Sequence, residues 1–329
     1  MHAYLAMKAI QISETGSADV LNLVDIPKPT PGEGKVLVKV QASGVNFIDV
    51  YFREGRYKAD LPLVLGQEGA GTVEALGPDV NNGLHPGDRV AWCGVLGSYA
   101  EYAVVPASQL VHVPDAVDLK VAAGVMLQGM TAHYLSHSTF KLKSGDAVLV
   151  HAAAGGVGLL LTQMATRIGA HVIATVSTRE KAALAREAGA RDVILYTECC
   201  FDEETRRLTD GRGVDVVYDS VGKTTFERSL NCLRPRGLLA LYGASSGAVP
   251  PFDLIQLSTK GSLFITRPAL GHYIHTRQEL ERRATDVLEW VERGQLKLHM
   301  EFIYPLARAA EAHRDLEERR TTGKLLLVT

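Results

Sequence analysis

The residues with the clearest chemical purpose are the run His151-Ala152-Ala153-Ala154-Gly155-Gly156-Val157-Gly158. It follows the apolar segment 147–150 and opens a stretch of helical spacing that closes at Gly169. A strand, a glycine turn and a helix in that order form a dinucleotide-binding unit, because the first N–H groups of the helix lack intrahelical partners and donate to a phosphate. Aligned to G-x-G-x-x-G, the run reads Ala153, Gly155 and Gly158, so its first position departs from the pattern. Ala holds a tight turn while its φ stays negative. Gly155 allows close approach of the backbone to a pyrophosphate, and Gly158 lets helix and strand pack closely. Gly156 and Val157 complete the turn. A glycine turn by itself is a weak signal; its place between a strand and a helix is what gives it weight.

The next strand bears on which dinucleotide is held. NAD-selective sites carry Asp or Glu about 20 residues after the turn, bonded to the ribose 2′-OH. Here the strand 171–176 ends in Ser177-Thr178-Arg179, with Lys181 close behind. A hydroxyl and two cations stand where the carboxylate would repel a 2′-phosphate, and charge-assisted hydrogen bonds from them suit that phosphate. Cations in the first turn of a helix oppose its dipole, which favours a ligand-related reason for them over a plain solvated helix start. The expected cofactor is NADPH.

These residues need a scaffold to position them. Residues 8–120 read as short strands, with 35–40 alternating and 69–76 and 89–92 as further candidates. Pro27, Pro29, Pro31, Gly32, Gly34 and then Pro86-Gly87-Asp88 punctuate them. Near Asp118 the pattern changes. Segments 119–126 and 131–140 have helical spacing, and from Ala147 strands (148–151, 172–176, 193–195, 214–218, 238–242, 262–266) alternate with helices (to 169, 180–188, 203–209, 225–232). Such alternation predicts a parallel, doubly wound sheet, since parallel strands need helical crossovers. After Pro268 a helix 278–292, a strand 300–304, a helix 306–319 and a strand 325–328 return to the first domain. The expected fold is therefore α/β, with a Rossmann-type sheet inserted in a mostly β domain. The expected boundaries are 1–125, 126–267 and 268–329.

Composition removes several functions. At 329 residues the chain can build two cores, and a net charge of −2 offers no broad basic field for nucleic acid or an anionic membrane. Cys93, Cys199, Cys200 and Cys232 have neither metal-ligand spacing nor a disulfide framework. No apolar stretch reaches membrane-spanning length. The start, residues 1–8, lacks the charged head and apolar run of a signal peptide, so a cytoplasmic protein is expected.

Several blocks together are more specific than any one. The segments Gly44-Val45-Asn46-Phe47-Ile48-Asp49-Val50-Tyr51, His151 to Gly158, Val217-Tyr218-Asp219-Ser220-Val221-Gly222, Gly261-Ser262-Leu263-Phe264-Ile265-Thr266-Arg267-Pro268 and Thr322-Gly323-Lys324-Leu325 occur in order, almost end to end. With them the chain resembles the zeta-crystallin-like quinone oxidoreductases, the zinc-free branch of the medium-chain dehydrogenase/reductase superfamily. The resemblance implies a GroES-like catalytic domain from both chain ends and a Rossmann domain holding NADPH. It places Asn46 and Tyr51 near the nicotinamide, and Thr131, Ser177, Lys181, Tyr196, Ser220, Gly243, Ser245, Arg267 and Arg319 at the cofactor. It also implies a homodimer joined at the sheet edge 263–266, which would cover an exposed edge. The chain departs from close relatives at Gln128, where they often carry Lys.

Zinc-dependent relatives use Cys near the position of Asn46 and Gly-His-Glu where this chain reads Gly66-Gln67-Glu68. Neither Asn46 nor Gln67 offers a thiolate or imidazole, so no metal is expected. His133 and His137 share helical spacing without the carboxylate of HExxH and read as ordinary helix histidines. Without zinc to polarise an alcohol, an electron-poor quinone or α,β-unsaturated carbonyl suits hydride transfer better. Asn46 would position the nicotinamide or donate to the substrate oxygen, and Tyr51 would donate a proton or hydrogen bond. A non-catalytic NADPH- or RNA-binding role is the alternative from another class. The acidic balance, and the lack of an arginine-rich tract, weigh against RNA.

Overall fold

The computed structural model describes residues 5–329, so the first four residues of the expected leaderless start lie outside the described part. The chain divides into two compact units: one runs to Leu127 and resumes at Ile274, and the other is Gln128–Tyr273.

The first unit opens with β1 (Ala6–Ile12), β2 (Asn22–Pro27) and β3 (Lys35–Val45), then the helix α1 (Phe47–Arg53). The strands β4 (Leu63–Val64), β5 (Glu68–Leu76), β6 (Arg89–Cys93), β7 (Tyr102–Pro106) and β8 (Val111–His112) follow. Helix α2 (Leu119–Tyr134) leads to β9 (Ala147–Val150), α3 (Gly156–Ile168), β10 (His171–Val176), α4 (Arg179–Glu187) and β11 (Asp192–Leu195). Next come α5 (Phe201–Leu208), β12 (Val214–Asp219), α6 (Phe226–Cys232), β13 (Leu233–Leu241), α7 (Ile255–Thr259) and β14 (Phe264–Thr266). The return to the first unit comprises α8 (Arg277–Glu292), β15 (Phe302–Pro305), α9 (Ala309–Glu317) and β16 (Leu325–Val328).

The sheet of the second unit has the order β11-β10-β9-β12-β13-β14, with every pairing parallel. That is the doubly wound order, and its strand sequence reverses between β9 and β12. Central strands covered on both faces must be apolar along their length. Leu149, Ile173, Val217 and Leu239 accordingly sit fully buried in one core with Phe201, Phe226 and Leu230.

In the first unit a seven-stranded sheet runs β15-β16-β3-β5-β6-β8, with β7 also on β3. The long strand β3 pairs with β7 over Lys35–Lys39 and with the chain's final strand over Ala42–Val45. Two registers matter for the site. Leu325 lies opposite Val45, which brings Lys324 level with Asn46, and Ser43 lies opposite Gly69, which brings Glu68 level with Gly44.

The structure differs from the sequence expectation in three local places. The half read as mostly β contains α1, whose start is set when Asp49 accepts the N–H of its N-cap Asn46 at 2.9 Å. The helical stretches 119–126 and 131–140 form one helix through Gly129, continued by a π-helical turn, Leu135–Thr139. The expected helix 306–319 begins as a 3₁₀ turn, Leu306–Arg308, and ends at Glu317, with Arg319 at φ +59°. At its far end the second unit includes Tyr273, which stacks on Tyr134 with ring centroids 4.2 Å apart and accepts a hydrogen bond from Thr139 Oγ1 at 2.9 Å.

Candidate functional site

In the second unit the phosphate turn lies between β9 and α3 as its sequence requires. A Cβ on Gly158 would overlap Ala152 O and come within 2.7 Å of Ala153 Cα, so only glycine permits this closeness of helix and strand. No side chain caps α3 at its N-cap Gly155, which leaves the first N–H groups of a 13-residue helix directed at the turn. The departure at Ala153 is tolerated because the left-handed residue is Ala152, at φ +49°. A side chain there carries strain of about 1–2 kcal/mol, supplied by the surrounding turn. A Cβ on Gly156 would overlap the Gln128 amide, so the residue that departs from relatives rests on the turn itself.

The other expected cofactor residues of this unit gather at the carboxyl ends of the parallel strands. Ser177 follows β10, Tyr196 follows β11, Ser220 follows β12, Gly243 and Ser245 follow β13, and Arg267 follows β14. Lys181 lies in the first turn of α4, whose N-cap Thr178 accepts the Lys181 backbone N–H. Arg179 is exposed and 3.9 Å from Glu198. Loops after neighbouring strands touch: a Cβ on Gly243 would lie 2.8 Å from Ser220 Cα. Arg267 donates to Leu241 O at 3.1 Å. Thr131 is buried on α2. This edge, at the end of a sheet with a reversal of strand order, is where open α/β sheets take a ligand. The uncapped helix and the glycine cradle fit a dinucleotide diphosphate.

Two residues shape that edge without having been singled out as site residues. Asp219, fully buried, accepts from Val221 N at 2.7 Å, Gly222 N at 3.0 Å and Thr225 Oγ1 at 2.7 Å, which fixes the turn that carries Ser220. His151 bonds Thr175 Oγ1 on β10 at 2.8 Å and Ser229 Oγ on α6 at 3.0 Å; burial lowers its pKa, so the ring is a neutral tie between the end of β9, β10 and α6. Nothing local in the sequence marks either role.

Asn46, Tyr51 and Arg319 belong to the first unit. Asn46 is 4% exposed at the start of α1, and Tyr51 is 8% exposed one turn later, its ring edge-on to Tyr57 and beneath the Arg56 guanidinium at 5.2 Å. Asn46 Nδ2 donates to Gly44 O at 3.2 Å and to Glu68 Oε2 at 2.8 Å, and its Oδ1 accepts from Lys324 Nζ at 2.8 Å. Lys324 Nζ lies 2.5 Å from Glu68 Oε2, with both side chains fully buried. An ammonium and an amide are the wrong donors for zinc, and the Glu68 carboxylate between them already has a cation. Among the described residues no three His, Cys, Asp or Glu side chains gather where a metal could be held. His133 and His137 stack on each other, ring centroids 4.5 Å apart. The four cysteines are free.

Beneath Asn46 runs a buried polar chain. Arg53 Nη1 lies 3.2 Å from His313 Nδ1, His313 Nε2 lies 3.1 Å from Tyr99 Oη, and Tyr99 Oη donates to Asp49 Oδ2 at 3.0 Å. Because a guanidinium only donates, His313 Nδ1 must accept and Nε2 must carry the proton. Burial lowers His313 to about 3, with the Arg53 charge adding to the effect. Burial raises the Asp49 carboxyl from 3.8 to about 7, against the hydrogen bonds from Asn46 and Tyr99. Asp49 Oδ1 has no hydrogen-bond partner among the described residues.

A carboxyl with a raised folded pKa stabilises fully below about pH 4, and that stabilisation is lost as pH rises to about 7, at about 1.4 kcal/mol per unit. His313 acts oppositely: its contribution is present above pH 6.5 and lost as pH falls toward 3. Calorimetric melting of Asp49→Asn should therefore gain on the parent as pH rises from 5 to 7. Parallel curves for the two proteins would show that Asp49 does not titrate in this window.

Comparison with known proteins agrees with this architecture. Residues 32–115 match the alcohol dehydrogenase GroES-like domain, and residues 156–288 match the zinc-binding dehydrogenase domain. A quinone oxidoreductase of Pseudomonas aeruginosa is 46% identical over 98% of this chain and 99% of its own length. A 2-haloacrylate reductase of a Burkholderia species is 43% identical over 98% of this chain and 99% of its own. A mycobacterial protein solved in complex with NADPH superposes with a TM-score of 0.96 at 49% identity, covering 98% of this chain and 100% of the other. With a GroES-like unit, a Rossmann-type unit and identity of this extent along nearly the whole chain, the protein belongs to the quinone oxidoreductase family of the medium-chain dehydrogenase/reductase superfamily.

Proposed function

We propose that this protein reduces quinones with NADPH and without a metal ion. The observation that carries the cofactor choice is the end of β10, where Ser177 and Lys181 replace the carboxylate of an NAD site. The α3 N-terminus holds the diphosphate through backbone N–H groups, and Gly155, Gly156, Val157 and Gly158 let it approach. Ser177 and Lys181 bind the 2′-phosphate through charge-assisted hydrogen bonds. Thr131, Tyr196, Ser220, Gly243, Ser245, Arg267 and Arg319 contact the same cofactor. When bound, NADPH supplies the hydride. Asn46 orients the nicotinamide, and Tyr51 donates a hydrogen bond to the oxygen on which charge develops.

The absence of a thiolate or imidazole at Asn46 and Gln67 supports a metal-free reaction. The decisive experiment follows NADPH oxidation against a panel of quinones and enals, with NADH as control, in protein dialysed against chelator. Turnover of quinones by metal-free protein is expected. Tight NADPH binding with no turnover on any acceptor would replace catalysis by a binding role, and activity tracking a stoichiometric zinc would overturn the metal-free reading. In the same assay Tyr51→Phe should lower kcat about tenfold or more with little change in NADPH affinity. Undiminished turnover removes Tyr51 from the chemistry.

A second reading, reduction of α,β-unsaturated carbonyl compounds by the same hydride step, is favoured by the 43% identity to a 2-haloacrylate reductase. The panel separates the two by their relative kcat/KM. The protein also pairs with a second copy along β14, an edge strand whose Phe264 is 59% exposed. Sedimentation as a monomer at assay concentration would refute that pairing.

A further inference from the structure

A charge pair that is wholly buried, as Lys324 and Glu68 are, is less favourable than an apolar pair of similar size unless its remaining bonds are well made. Here they are made to one target. Lys324 Nζ donates both to Glu68 Oε2 and to Asn46 Oδ1, while Asn46 Nδ2 donates to Glu68 Oε2 and Gly44 O. The remaining carboxylate oxygen, Glu68 Oε1, accepts the backbone N–H of Leu127 at 2.7 Å, within α2. The chain makes room for the arrangement. A Cβ on Gly44 would overlap the Glu68 carboxylate and lie 2.7 Å from Lys324 Cε, and one on Gly124 would lie 3.1 Å from Lys324 Cγ. Sheet register fixes the meeting of residues 256 apart, since β16 and β5 both pair with β3.

We propose that Glu68 and Lys324 are positioning residues that lock the Asn46 amide in one orientation, so that Asn46 has no side-chain N–H left to donate to a substrate. A flipped amide would set its NH₂ against the ammonium and its oxygen against the carboxylate, two repulsions inside a buried site. In the locked orientation both Nδ2 protons are committed within the first unit, and none remains for a substrate oxygen. The amide oxygen is held in turn by the Lys324 ammonium at 2.8 Å. This inference rests on the placement of Asn46 at the nicotinamide proposed above. It assigns the hydrogen bond that stabilises the substrate oxygen to another residue.

The test compares Glu68→Gln/Lys324→Met with the parent, using NADPH and 1,4-benzoquinone. Replacing both charges removes the unpaired-charge penalty, so the double variant should melt close to the parent. Its kcat should nevertheless fall at least tenfold. Asn46→Ala should cost as much in the parent, but less than twofold when added to the double variant, because the amide is already unlocked there. A double variant with parental kcat, or an Asn46→Ala effect that persists undiminished in it, overturns the positioning role alone. An Asn46→Ala parent with full activity overturns the placement of Asn46, and the inference with it. A measurement on the unaltered protein guards against misfolding of the variants. With side-chain ¹⁵N-labelled asparagine, both Asn46 Nδ2 protons should be protected from solvent exchange, with and without NADPH; rapid exchange of either overturns the lock.

Discussion

Replacing Arg53 by Met should destabilise the protein by roughly 3–5 kcal/mol, the range for breaking a buried ion pair. Its guanidinium is 1% exposed and binds Glu317 through both nitrogens, at 2.5 and 3.0 Å, while Nε donates to Gly16 O at 3.1 Å. The same group supplies the donor that His313 Nδ1 needs. Its loss therefore leaves a neutral, buried imidazole short of a partner and frees α1 from α9. The reciprocal change, Glu317→Ala, should also be harmful, because it leaves the buried guanidinium with only the longer, 3.6 Å ion pair to Glu54. A double variant, Arg53→Met/Glu317→Leu, should recover most of the loss, since buried ion pairs are often replaced by apolar pairs at little cost. Denaturant unfolding of the three variants measures this. Additive losses in the double variant would mean that Arg53 acts through its backbone-directed bond to Gly16 and not through the pair.

The second large effect concerns cofactor choice. Lys181→Ala should weaken NADPH by about ten- to a hundredfold, the worth of one hydrogen bond to a charged group, and leave NADH nearly unchanged. The helix should survive the change, because Ala is a better helix former than Lys and the capping bond at Thr178 uses the backbone of residue 181. Ser177→Asp should work from the other side, by placing a carboxylate at the end of β10 that repels the 2′-phosphate and accepts a ribose hydroxyl. Calorimetric titration with both dinucleotides distinguishes the outcomes. Equal losses for NADPH and NADH in Lys181→Ala would remove the 2′-phosphate assignment and leave Lys181 as a general contributor to charge.

The two units differ in how well they could be read from the sequence. The cofactor edge was legible because its signals are local. Alternating strands and helices fix a parallel sheet, and every loop at its carboxyl edge then carries whatever residues follow each strand. Gly155 and Gly158 could be placed from their neighbours alone. In the other unit, α1 escaped notice because seven residues hold too little periodicity to distinguish a helix from a strand. The helical stretches of α2 read as two because Gly129 costs helix stability locally, a cost that burial of the helix outweighs.

What the chain's local chemistry determined, then, is the Rossmann-type sheet, the glycine turn between β9 and α3, and which residues follow β10. What only tertiary structure decided is the surroundings of Asn46. Lys324 is a cation at the head of an apolar strand, and Glu68 begins a strand far away; neither carries a mark of the other. They meet because β16 and β5 flank β3 in fixed register, so a pairing of backbones sets the distance between their charges. Tyr99, His313, Arg53 and Asp49 are joined in the same way, by packing across long sequence separations. Periodicity and motif spacing report on neighbours along the chain. The protonation and orientation of a buried side chain depend on neighbours in space.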